Sequence, residues 1–110
     1  MNLDTAETLA RRELGRFPQL AAWSFGWNRR RRTHGLCRYD CQRIELSAPL
    51  TAREPDGSLI LNTIRHEIAH ALAGPKAGHG PLWRRWATRI GCTHLASARH
   101  PSAQAEAIPP

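Results

Sequence analysis

The sequence predicts an α+β fold in one small domain, and three observations predict it. The chain has 110 residues, which is enough for one core and little more. Three segments, near residues 4–14, 58–73 and 81–90, carry apolar residues at helical spacing. Between the first two lies a stretch, roughly 22–47, in which apolar residues alternate with a period of two. Apolar residues make up 41% and charged residues 23%, in the globular range. No run of about 18 apolar residues is present that could span a bilayer. The charged N-terminus "MNLDTAETLARRELG" lacks the apolar centre of a signal peptide. A cytoplasmic location, a monomer and no membrane partner are therefore expected.

The elements follow in order. Asp4 is read as the N-cap of the first helix with Glu7 three positions on, as in a capping box, and Ala6, Leu9, Ala10 and Leu14 form its inner stripe. Trp23, Phe25 and Trp27 alternate, so they share one face of a strand and read as core rather than as a platform for bases. Cys37 with Tyr39, and Ile44 with Leu46, alternate in the same way. A short antiparallel sheet of about three strands is predicted, with "RRRR", Arg29–Arg32, at a hairpin tip or edge. "APLTAREPDG" reads as a connector, with two prolines and a glycine. A long helix then starts behind Asp56 or Ser58. Pro81 just inside the start and Gly91 just past the end frame the last helix. Its inner stripe is Trp83, Trp86, Ala87 and Ile90, and Arg84, Arg85 and Arg89 lie on the other side. Residues 93–110 have few large apolar groups and are expected to form a disordered tail.

The net charge is +7. Arginine supplies fifteen of the sixteen basic residues, Lys76 being the other. That bias has two compatible readings: a surface that attracts phosphate backbones, or a GC-rich coding sequence. Three cysteines, Cys37, Cys41 and Cys92, without a secretion signal argue against a disulfide framework. Cys37 and Cys41 lack the matching pair of a structural zinc site and read as free thiols.

The chemistry concentrates in "RHEIAHALAGPKAGHG", residues 65–80. His66 and His70 stand four apart and share a helix face, so both imidazoles can reach one metal ion. Glu67 lies about 100° round the helix, beside that ion without having to bind it. Two ligands and an adjacent carboxylate base are what a zinc hydrolase needs. Chance alone supplies such a triple on the order of 2% of the time in a chain of this composition, so context decides. Ile60, Ile64, Ile68, Ala71 and Leu72 form one apolar stripe, while the opposite face carries His66, Glu67, His70 and Thr63. A solvent-facing helix would show more Lys, Arg and Glu there, so this helix is expected to be covered on both sides.

A catalytic zinc takes three protein ligands and keeps one position open. No Asp or Glu occurs between His70 and Gln104, which removes a downstream carboxylate ligand except Glu106. Ala73 and Lys76 occupy the positions where HExxHxxGxxH needs Gly and His. His79, His94, His100 and Cys92 remain. His79 is the strongest: Gly74-Pro75 stops one helix, Pro81 starts the next, and a His at that junction folds back over His66 and His70.

"RHEIAHAL" followed by "GHGPLWRRWATRIG" resembles the SprT-like zinc metalloprotease domain, and "GLCRYDCQRIELSAPL" resembles that family's strands before the active-site helix. The resemblance covers roughly residues 5–92, and the domain is placed at 1–92. It implies a zincin-like fold, one catalytic Zn²⁺ held by His66, His70 and His79, and Glu67 as acid/base in peptide hydrolysis. It also implies substrates among DNA-bound proteins. For contact with DNA the candidates are Arg29, Arg30, Arg31, Arg32, Arg84, Arg85 and Arg89. The chain departs from many members in lacking the paired cysteines of a C-terminal zinc ribbon. The alternative is a zinc-stabilised nucleic-acid-binding module with little catalysis. Tyr39, the single Tyr, and several Arg are open candidates for an oxyanion donor.

Overall fold

A computed structural model describes residues 1–92; the tail expected over 93–110, with His94 and His100, lies outside the described residues. The α+β class holds. The elements are α1 (Leu3–Leu14), a 3₁₀ turn (Pro18–Leu20), β1 (Ser24–Asn28), β2 (Gly35–Arg38), β3 (Arg43–Ser47), α2 (Ala48–Arg53), α3 (Gly57–Ala73) and α4 (Pro81–Ile90). Helix α1 starts two residues earlier than the capping-box reading. Asn2, rather than Asp4, is the N-cap, its side chain accepting from the Thr5 N–H at 3.0 Å. Glu7 accepts instead from the Trp27 indole N–H at 3.0 Å and pairs with Arg11, which ties α1 to β1.

The sheet is mixed rather than antiparallel, in the order β1-β3-β2. β2 and β3 pair antiparallel, with Cys37 opposite Ile44, while β1 runs parallel to β3, with Phe25 opposite Ile44. The last strand in sequence is thus the central one. Residues 29–34 therefore do not close a hairpin; they cross the end of β3 to reach the far edge. The crossing is fastened there: Ser47 Oγ donates to the Arg30 carbonyl at 2.6 Å, and the Ser47 N–H donates to the His34 carbonyl at 2.8 Å.

The segment read as a connector contains α2, one and a half turns long. Ser47 caps it, accepting from the Leu50 N–H at 3.1 Å, and a proline sits in its first turn. Helix α3 is the centre of the molecule and packs against α1, α4, β2 and β3. Ile60, Ile64 and Ile68 are fully buried on its core side, each worth about 1.5–3 kcal/mol of burial. The opposite face is buried too: His66 is 1% exposed, Glu67 0% and His70 0%. Covering on both faces is what the absence of long charged residues predicted. On α4, Trp83, Ala87 and Ile90 are buried and Trp86 only partly so. Arg84, Arg85 and Arg89 are exposed. Among the described residues no helix is long and apolar enough to cross a membrane.

Candidate metal centre

Helix α3 supplies two imidazoles one turn apart, and the loop after it supplies the third. The α3 helix ends at Gly74, whose φ of 93° is left-handed territory that favours glycine. Gly78 takes a φ of 54° just before His79, so the chain reverses within six residues. Gly80 then precedes Pro81, and α4 begins. The reversal returns His79 over α3. Its Nε2 lies 3.1 Å from His66 Nε2 and 3.2 Å from His70 Nε2. Four-coordinate zinc with nitrogen ligands at about 2.0–2.1 Å requires nitrogen–nitrogen separations of about 3.3 Å. The three side chains therefore fit one tetrahedrally bound ion, and they are positioned to hold it. The remaining candidate within the described chain, Cys92, is not part of this cluster; it is buried and lies 4.0 Å from the Asn62 carbonyl.

Burial decides the protonation of the ligands. It pushes the His66 imidazole down to about 2, helped by the neighbouring His70 and His79. It pushes His70 down to about 3, helped by His79. His79, at the open side, is lowered by burial and then by the charge of Arg84. All three are neutral at pH 7 and have lone pairs to offer, as metal ligation requires.

The other side of Glu67 is a strand rather than water. A Cβ built on Gly35 of β2 would stand 3.1 Å from Glu67 Cγ and 3.3 Å from its Oε2, and 2.7 Å from Thr63 Cγ2. The β2 backbone thus lies directly against α3: its approach to Thr63 is one only glycine allows, and its approach to the carboxylate is closer than ordinary contact. A glycine inside a strand signals such an approach, and that is the signal Gly35 carries in the sequence. Burial, and then the negative charge of Glu67, raise the Cys37 thiol far above its ordinary value. Burial also raises the Tyr39 phenol, with Cys37 and Glu67 adding to it. Both groups stay protonated. The Tyr39 hydroxyl donates to the His70 carbonyl at 2.9 Å, so it braces the α3 helix and is committed to the backbone rather than held ready for an oxyanion.

The predicted basic residues fall in separate places. Arg29–Arg32 are all exposed and form no ion pair with a described carboxylate. Arg29 and Arg31 flank a cavity of about 330 Å³ whose other walls are Leu3, Ala48, Pro49 and Ala52. Arg85 and Arg89 stand together on the outer face of α4, with the Arg89 guanidinium 5.5 Å from the centre of the Trp86 ring. Arg84 turns the other way: its Nε donates to the His79 carbonyl at 3.3 Å, beside the three-histidine cluster.

The fold and this cluster define a class: a small α+β domain built around three histidines positioned to bind a metal ion. The chain belongs to the SprT-like family, whose model matches residues 4–106. No curated protein and no solved structure matches the chain.

Proposed function

We propose that this chain is a zinc-dependent metallopeptidase that hydrolyses peptide bonds within proteins. The observation that carries the reading is the meeting of three neutral imidazole nitrogens, 3.1 and 3.2 Å apart, beside a fully buried glutamate on the same helix. His66, His70 and His79 would hold the ion, which when bound supplies Lewis-acid polarisation of a carbonyl and acidifies water. Glu67 accepts a proton from the attacking water at its carboxylate and returns it to the leaving amine. Its backing by the Gly35 backbone fixes the direction in which the carboxylate faces. Cys37 and Tyr39, which stay protonated, add no negative charge beside Glu67.

Metal analysis together with cleavage of basic, unstructured protein substrates tests this. Glu67→Gln is expected to retain zinc and to lose roughly 10²-fold or more of the activity. Full activity in that variant would sink the acid/base role. His79→Ala is expected to lose zinc, and wild-type zinc content there would sink its role as ligand.

DNA-associated proteins are the substrate class that the basic surface favours. Arg29–Arg32 are held on a fastened crossing and pair with no carboxylate among the described residues, an arrangement that suits a polyanion. The same arginines favour the alternative, a zinc-stabilised nucleic-acid-binding module with little catalysis. A structural metal site has no use for Glu67, and the Glu67→Gln assay separates the two.

A further inference from the structure

Ligating histidines ordinarily have their second ring nitrogen hydrogen-bonded to a carboxylate, carbonyl or water, which fixes the ring and tunes the metal. Here Nδ1 of His66 and Nδ1 of His70 are buried and meet no hydrogen-bonding partner among the described residues. One side chain touches all three imidazoles. The Trp83 indole lies with its ring centre 4.8 Å from that of His66, 5.4 Å from that of His70 and 4.6 Å from that of His79. The first and third contacts are edge-to-face, at 61° and 75°, and the second is tilted at 30°. Its Nε1–H donates to the His66 carbonyl at 3.2 Å, so the indole is anchored to the ligand helix as well as packed on its side chains. Trp83 is 1% exposed, with no room to rotate away.

We infer that Trp83 is a positioning residue of this site: a single indole, packed on all three imidazoles and anchored to the His66 carbonyl, holds them in a ligand-ready arrangement. The inference rests on the metal-site reading and adds to it. The helix carrying Trp83 is itself fixed from below. The Arg65 guanidinium donates to the Gly91 carbonyl at 3.0 Å, and that of Arg16 to the Ile90 carbonyl at 3.4 Å. Both arginines converge on Glu13 Oε1 of α1, at 2.9 and 2.8 Å. The C-terminal end of α4 is thereby clamped to α1 and α3, and its first turn presents Trp83 to the imidazoles at a set height.

The test is zinc affinity, by competition with a chromophoric chelator, in wild type, Trp83→Phe, Trp83→Leu and Leu20→Ala. Trp83→Phe keeps an aromatic ring and removes the N–H; Trp83→Leu removes the aromatic face. Leu20→Ala is a core control outside α4 and its clamp. Loss of an outer-shell partner of a metal ligand typically costs 10–100-fold in affinity. About tenfold weaker binding is expected for Trp83→Phe and about 100-fold for Trp83→Leu, with Leu20→Ala melting lower yet binding zinc like wild type. Equal affinity in wild type and folded Trp83→Phe overturns the inference, even if Trp83→Leu fails to fold. Equal loss of affinity in Leu20→Ala overturns it too, since the effect would then be general destabilisation. Absence of zinc binding in wild type would overturn the metal-site reading and this inference with it, a result distinct from binding that is indifferent to Trp83.

Discussion

Replacing Gly35 by alanine adds one methyl group, and the structure says what it would strike. The new Cβ would stand 2.7 Å from Thr63 Cγ2, 3.1 Å from Glu67 Cγ and 3.3 Å from Glu67 Oε2. Carbon–carbon contacts are most favourable at about 3.5–4.0 Å, so the strand and α3 must separate by something near 1 Å or the Thr63 side chain must yield. Overpacking of this kind costs about 1–3 kcal/mol. In a domain of this size that lowers the melting temperature by roughly 5–20 °C. The carboxylate of Glu67 is displaced with the helix, and a misplacement approaching 1 Å costs about 10²-fold in rate. Thr63 offers an internal control. Its Oγ1 bonds the Leu59 carbonyl at 3.0 Å, and Thr63→Ser keeps that bond while removing Cγ2. The double variant Gly35→Ala/Thr63→Ser is therefore expected to regain much of the stability but little of the activity, because the contacts with Glu67 remain. Thermal melts followed by circular dichroism, beside peptidase assays on all four proteins, decide it. A Gly35→Ala protein with wild-type melting temperature and rate would refute the claim that the β2 backbone seats Glu67.

Three further expectations follow from charge. In metal-free protein His66 and His70 are depressed by burial to about 2 and about 3, while the unfolded chain protonates near 6.5. Below that value the unfolded state takes up protons that the folded state refuses, so stability falls with pH, by roughly 4 kcal/mol between pH 7 and pH 5 for the two together; a flat urea midpoint over that range would contradict their burial as neutral groups. Glu13 would be raised by burial, but hydrogen bonds from Arg65 and Arg16 outweigh this and hold it below its ordinary value. Its contribution is present above about 4.3 and is lost as pH falls through the folded value. Glu13→Gln should cost roughly 1.5–3 kcal/mol at neutral pH and flatten the acid limb of the denaturation curve, and an unchanged limb would rule the cluster out as its origin. Replacing Arg29–Arg32 with alanine should lower the slope of log affinity for single-stranded DNA against log salt by roughly 2–4; an unaltered slope removes that loop from the DNA reading.

Much of this architecture is legible in the residues, and what is not has identifiable causes. The three long helices announce themselves because a buried stripe such as Ile60-Ile64-Ile68 recurs at helical spacing. Helix α2 is too short to show a period, although Ser47 followed by Pro49 is a recognisable start. Alternation in Trp23-Phe25-Trp27 reports which face a residue takes, not which strand lies beside it, so the parallel partner of β1 could not be read. His79 is reached by elimination, because the chain offers few other ligands. Trp83 reads as one more member of an apolar stripe, and only the folded arrangement shows that what it packs against is three imidazoles.

The order of the sheet has a consequence for how the chain tolerates change. Among the described residues β1 and β2 are joined only through β3, so five residues, Arg43–Ser47, hold both flanking strands. Until a growing chain reaches Ser47, the two earlier strands have no common neighbour, and neither can begin the sheet alone. A proline placed at Ile44 or Leu46, or a one-residue deletion between them, would break two pairings of opposite direction in one stroke. Comparable damage in β1 would break only one, which makes β3 the least replaceable part of the foundation under the histidine-bearing helix.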